Sequence, residues 1–223
     1  MTWIKICGIT NLEDALVAVD AGADAVGFVF YEKSPRCLTV ETAREIVAKL
    51  PDGVEKVGVF VGNSQAAEMA LAAGVDAMQS YIVVNLDPPL LKPNPPEFRK
   101  LRQYLAIPYA SFLKGSFPTS KSAAIPGFID AFFIDSGNAQ KPGGTGATFN
   151  WSEAAPALKA FARHTPVAIA GGLTPQNVES AIDILKPWGV DVSSGVEARP
   201  GKKDPEKVRA FVRRVREMDW KAG

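Results

Sequence analysis

Histidine is nearly absent: His164 is the only one in 223 residues, and it falls in the turn before the seventh predicted strand, on the face opposite the candidate site. One imidazole excludes histidine-based triads and metal sites that need two histidines. No cysteine or carboxylate cluster has zinc-ligand spacing either, so no metal is expected. Cysteine is almost as scarce. Cys7 and Cys37 cannot build a disulfide scaffold, and both are expected as free thiols in a cytoplasmic protein. Excess charge is missing too: 25 Lys and Arg against 24 Asp and Glu leave +1, which excludes a broad basic footprint for nucleic acid or an anionic membrane. Long apolar runs are lacking. The stretches 24–31, 56–61 and 131–134 fall far short of the roughly 20 residues of a membrane span. Met1 to Lys5 shows no basic run leading into an apolar stretch, so no secretory leader is predicted.

What the chain has is alternation. Short β-branched runs near 3–8, 24–30, 55–61, 75–80, 108–114, 130–136, 166–171 and 189–194 read as eight strands. Between them, apolar residues at helical spacing recur in Leu12/Ala15/Leu16/Val19, Ala43/Ile46/Val47/Leu50, Ala66/Met69/Ala70/Ala73, Ala154/Ala157/Leu158/Phe161, Val178/Ala181/Ile182/Leu185 and Val208/Phe211/Val212/Val215. Thr10 with Glu13 reads as a capping box, and Thr174-Pro175 and Asp204-Pro205 as capped starts with proline at the first helical position. Eight βα units in 223 residues suit a single (β/α)8 TIM barrel spanning 1–223 as one α/β domain, with a doubly wound open sheet as the alternative. The fourth unit is irregular. The proline-rich run from Asp87 to Pro96 must be an extended loop, which leaves a short helix near 97–105, and a weak fifth helix is predicted around 119–125.

In both parallel architectures ligands bind beyond the carboxyl ends of the strands, so the residues just after each run are the candidates. The seventh ends in Gly171-Gly172 and the eighth in Asp191, Ser193, Ser194 and Gly195. A glycine pair before a capped helix aims free amides at an anion, so Gly171, Gly172, Ser194 and Gly195 are predicted to hold a phosphate. Each motif alone would equally serve as ordinary turn chemistry; the two together, after the seventh and eighth strands, point to the anion. Gly143-Gly144-Thr145-Gly146, in the long loop after strand 6, lacks the spacing of a dinucleotide fingerprint but is placed to close over a ligand. Cys7 ends strand 1 near a helix start that would lower its pKa, the other reading being a buried small hydrophobe. Asp135 emerges from the apolar wall Phe132-Phe133-Ile134, which should raise its pKa, unless it merely caps its own loop.

Set side by side, these loops resemble phosphoribosylanthranilate isomerase, an enzyme of tryptophan biosynthesis. The likeness rests on Lys5-Ile6-Cys7-Gly8-Ile9-Thr10, the run from Gly22 to Phe30, Ser34-Pro35-Arg36, Gly143 to Gly146, Ala170-Gly171-Gly172-Leu173, Val190 to Glu197 and Pro200 to Asp204. It covers 3–80 and 130–216.

The resemblance implies a cofactor-free Amadori rearrangement of N-(5′-phosphoribosyl)anthranilate, a small phosphosugar, by a monomer or homodimer. Asp135 would be the general acid and Cys7 the general base. Arg36 would meet the anthranilate carboxylate, and Gly144, Thr145 and Gly146 would close over the phosphate. Asp191 and Ser193 join Gly171, Gly172, Ser194 and Gly195 as binding residues. Where the family usually has Gln-Leu-His-Gly after strand 4, this chain reads Gln79-Ser80-Tyr81-Ile82. That departure keeps two other readings open, a paralogue acting on another aminated phosphosugar and a protein that only binds one. Side-chain alternation adds one expectation. If Cys7 faces the barrel interior so does Lys5, whose ammonium must then pair with a carboxylate, for which Asp191 is the candidate.

Overall fold

A computed structural model describes residues 1–81, 100–114, 128–137 and 146–222, and in it the alternating pattern closes on itself. Strands β1 (Trp3–Cys7), β2 (Ala25–Phe30), β3 (Glu55–Val61), β4 (Ala77–Tyr81), β5 (Arg102–Pro108), β6 (Ala131–Asp135), β7 (Val167–Ala170) and β8 (Gly189–Val192) form a closed parallel barrel in chain order. Closure comes from β1 pairing with both β2 and β8, so the open-sheet alternative is excluded. Helices α1 (Leu12–Asp20), α2 (Val40–Val47), α3 (Ala66–Ala73), α4 (Tyr109–Leu113), α5 (Trp151–Phe161), α6 (Val178–Leu185) and α7 (Pro205–Ala222) connect them. Between β8 and α7 a small hairpin, β9 (Glu197–Arg199) with β10 (Lys202–Lys203), is added.

Five of the six amphipathic stripes lie wholly in helices and the second does so up to Val47, with Leu50 buried just beyond the end of α2, but two starts differ from expectation. At α1 the cap is Asn11, whose side-chain oxygen accepts from the Asp14 N–H at 2.9 Å, rather than a Thr10–Glu13 box. Thr10 lies too early because its hydroxyl donates to the Gly201 carbonyl instead. At α6 the Thr174 hydroxyl accepts from the Gln176 N–H at 3.2 Å, but this caps only a turn, and regular helix begins at Val178. Asp204 caps α7 as predicted, accepting from the Glu206 and Lys207 N–H groups.

Strand 5 is the larger correction. It runs over Arg102–Pro108, not 108–114, and residues 109–113 are helical. Tyr104-Leu105-Ala106-Ile107 is buried on both faces, as a parallel barrel strand requires, and Pro108 closes the strand rather than opening it. The short helix predicted near 97–105 is therefore absent over Arg102–Leu105; its first three residues lie outside the described ones, as do the extended loop at 87–96 and the weak helix at 119–125.

Two apolar layers result. One lies between sheet and helices and holds Ile4, Ile6, Phe28, Phe132, Val190 and Phe211 among others. The other fills the barrel, where Ala25, Ala77, Ala106, Ala131 and Ala168 leave room for Tyr104 and Phe133. At the amino end Trp3 stacks on Trp188 with centroids 4.9 Å apart, and Asp24, Asp76 and Asp130 accept from the N–H groups of Ile4, Lys56 and Gln103. That end is plugged, so a ligand must use the other.

Candidate active site

At the carboxyl ends of the strands a cavity of about 410 Å³ opens, within the usual range for a small-molecule site. Cys7 from β1, Gln79 from β4, Asp135 from β6 and Asp191 just before the end of β8 meet there. Arg36 and Pro35 come from the connection after β2, Gly171 and Gly172 follow β7, and Ser193 and Ser194 follow β8. Val29, Tyr31, Val59, Val61 and Tyr81 make one wall apolar. The cavity is thus two-sided, with backbone turns and hydroxyls facing an apolar wall and charge at its floor.

Ladder register explains the floor. Lys5 lies beside Asp191 across the β1–β8 ladder, and Cys7 beside Gly27 across β1–β2. The Lys5 ammonium, with 0% exposure, donates to Asp191 Oδ1 at 3.0 Å and to Gln79 Oε1 at 2.9 Å, and lies 5.3 Å from the centre of the Phe133 ring. This is the pairing that alternation predicts. Burial pulls Lys5 down, but the charges of Asp191 and Cys7 outweigh it and its pKa is raised, so the ammonium stays charged.

Asp135 is the last residue of β6 and accepts from the Gly137 N–H. Burial lifts its pKa to about 6, opposed by that hydrogen bond, helped by Asp191 and resisted by Lys5. The expected rise is present. Cys7 behaves otherwise than expected. Burial pushes its thiol up, the Asp191 charge adds to this, and Lys5 and Lys203 oppose. A helix amino end acts only within a turn of itself, and α1 begins at Leu12, five residues further on.

Arg36 is held by a network that motif reasoning missed. Its Nε and Nη2 donate to the two oxygens of Glu197, each at 2.7 Å, and Glu197 Oε1 also accepts from Lys203 Nζ at 3.0 Å. Lys203, 1% exposed, donates as well to the Ser193 carbonyl at 3.2 Å. Although burial raises Glu197, its two cationic partners win and its pKa is lowered. Gly8, at φ 77°, makes room for the arm: a methyl group there would press on Arg36 Cδ and Ser193 Oγ. Glu197 and Lys203 flank Gly201, and that turn residue is the sequence signal for the hairpin that folds 197–203 back.

The anion side also takes shape. Gly171 and Gly172 have φ of 85° and 64°, and a side chain at either would strike the loop after β6, at Ser136 or at Ala147. Among the described residues no backbone acceptor is taken up by the amides of Gly172 and Ser194. Ser193 Oγ is buried without a hydrogen-bond partner and borders the cavity. Gly195 lies against the Leu173 carbonyl and does not line the cavity; it lets the two turns approach. Gly146 is exposed and away from the lining, while Gly144 and Thr145 lie outside the described residues. His164 is exposed in its turn. Among the described residues no group of three or more His, Cys, Asp or Glu is placed to hold a metal ion, and no helix is long and apolar enough to cross a membrane.

Comparison with known proteins converges on one family. The family described as N-(5'phosphoribosyl)anthranilate (PRA) isomerase matches residues 4–80 and 109–214. The N-(5'-phosphoribosyl)anthranilate isomerase of Pelobacter propionicus is 43% identical over 224 residues, covering 97% of each chain. A crystal structure of phosphoribosyl anthranilate isomerase in complex with reduced 1-(o-carboxyphenylamino)-1-deoxyribulose 5-phosphate is 34% identical, with a TM-score of 0.72 over 97% of this chain and 100% of that one. Monomers generated from the dimeric Thermotoga maritima enzyme give 34% identity and 0.70 over 97% and 99%. The closed barrel, the mouth shared by Cys7 and Asp135 and this likeness along nearly the whole length agree: the chain belongs to the N-(5'-phosphoribosyl)anthranilate isomerase family.

Proposed function

We propose that this chain isomerises N-(5′-phosphoribosyl)anthranilate to 1-(2-carboxyphenylamino)-1-deoxyribulose 5-phosphate, with Asp135 as general acid and Cys7 as general base. The observation that carries the reading is that these groups, from strands three apart round the barrel, line one cavity with Arg36 and the Gly171-Gly172 turn. The substrate phosphate takes the amides of Gly172 and Ser194 and the Ser193 hydroxyl, and the aromatic ring lies toward Val29, Val59, Val61 and Tyr81. Glu197 occupies one edge of the Arg36 guanidinium, which leaves the Nη1 side for the ring carboxylate.

With a pKa of about 6, Asp135 retains a protonated fraction near neutral pH. Its proton goes to the ribose ring oxygen as the C1–O bond breaks, and the nitrogen lone pair forms the Schiff base. Cys7, as thiolate, then takes the C2 proton to give the enolamine. C1 regains a proton while the C2 hydroxyl loses one, leaving the ketone. Only protons move, the reaction is redox-neutral, and no cofactor enters it.

The test is anthranilate fluorescence during turnover, in the parent, Cys7→Ala and Asp135→Asn. An active parent with two inactive variants that still bind the reduced product analogue is the expected outcome. An inactive parent, or turnover retained in either variant, overturns the reading.

A further inference from the structure

A thiol buried in an apolar barrel resists ionisation, yet a general base must ionise. The groups that face Cys7 decide which tendency wins. Lys5 approaches from its own strand, Asp191 from β8, Lys203 from β10 and Arg36 from the connection after β2, with Asp135 across the mouth on β6. Lys203 and Arg36 share Glu197, with which both are tightly hydrogen-bonded. Lys5 shares Asp191. Three cations therefore face two committed carboxylates, and one further negative charge, on Cys7 or on Asp135, completes the balance.

Lys5 is the cation best placed to receive it. Of its three donors one goes to Asp191 and one to Gln79, which leaves one N–H for the sulfur. The two side chains close on the same notch. At Gly27, directly beside Cys7 in the β1–β2 ladder, a methyl group would sit 2.9 Å from both Cys7 Sγ and Lys5 Cε.

We propose that Lys5 is a positioning residue for Cys7: its ammonium, fixed by Asp191 and Gln79 and brought against the sulfur by the absence of a side chain at Gly27, is the counter-charge on which the thiolate forms. The inference rests on the proposed base role for its importance, but its geometry does not depend on turnover. It gives Asp191 a second effect as well. By competing for the Lys5 charge, this carboxylate holds the thiol back.

The experiment measures the rate of Cys7 alkylation by iodoacetamide against pH, in a Cys37→Ser background, with the modified peptide identified by mass spectrometry. Lys5→Met should move the midpoint up by about 3 pH units, the worth of a unit charge about 4 Å away at an effective dielectric of about 20. Asp191→Asn should move it down, because the thiolate inherits the freed ammonium. Gly27→Ala, which keeps every charge and parts the pair, should move it up, and it serves in place of Lys5→Met should that variant fail to fold. A purely structural Lys5 would lower thermal stability without opposed shifts. An unchanged midpoint in Lys5→Met or Gly27→Ala, or no downward shift in Asp191→Asn, overturns the proposal. Should Cys7→Ala remain an active isomerase while the midpoints shift as stated, the base role fails and the Lys5–Cys7 coupling stands.

Discussion

Replacing Glu197 by alanine tests the charge network that holds Arg36. Its carboxylate accepts two hydrogen bonds from Arg36 at 2.7 Å and one from Lys203 at 3.0 Å. Side-chain exposure is 4% for Glu197, 0% for Lys203 and 11% for Arg36, so the charges it would leave behind are largely withdrawn from solvent. Removing one partner of a buried pair leaves an uncompensated charge and costs about 3–5 kcal/mol. For a chain of this size that corresponds to roughly 6–20 °C in Tm, read by scanning fluorimetry at pH 7. Glu197→Gln, which keeps an acceptor of the same shape, should lose less. Because Arg36 also loses its orientation, KM should rise more than kcat falls in Glu197→Gln. The pH dependence has a definite sign: the folded pKa of Glu197 is lowered, so its stabilisation is present above the ordinary glutamate range and fades as pH falls through the folded value. A Glu197→Ala protein that loses under about 1 kcal/mol would refute the claim that this buried carboxylate neutralises two cations.

Other expectations follow from the same geometry. Because burial lifts Asp135 to about 6, its carboxylate costs stability as pH rises from the ordinary aspartate range through that value. Asp135→Asn should therefore be inactive yet more stable than the parent at pH 8, by up to about 3 kcal/mol in urea denaturation; equal stability at pH 8 counts against a buried, strained carboxyl. Turnover limited by the acid should fall as pH rises through about 6 in the parent. Gly171→Ala, forced to φ 85° against Ser136, should lose roughly 1–3 kcal/mol and weaken competitive inhibition by inorganic phosphate, both absent if the turn is merely tolerant. Ser193→Ala removes a buried hydroxyl without a partner. It should leave ligand-free stability within about 0.5 kcal/mol and still raise KM, and a loss of stability with unchanged KM would contradict the phosphate role.

Much of this was legible because barrel strands obey a strict two-residue alternation. Once Cys7 was placed inward, Lys5 had to follow, and the register then set it beside Asp191. Strand 5 was displaced because Pro108 reads equally as the start or the end of a run, and only burial on both faces of Tyr104–Ile107 decides. The raised pKa of Asp135 is legible in its apolar neighbours, since desolvation is set by the residues beside it. Only the direction of the Cys7 pKa differs from expectation, because its dominant cause, burial within the mouth, depends on residues far along the chain. Glu197 and Lys203 were overlooked for a related reason: their partner, Arg36, lies more than 160 positions earlier, and only closure of the barrel brings them together.

The most direct measurement is the position of the reduced product analogue, bound to this protein, in a crystal structure. The account predicts its phosphate against the amides of Gly172 and Ser194, with the sugar C2 beside the Cys7 sulfur and Asp135 on the opposing side. A ligand seated elsewhere, or bound with sulfur and carboxyl both turned away from the sugar, would contradict it.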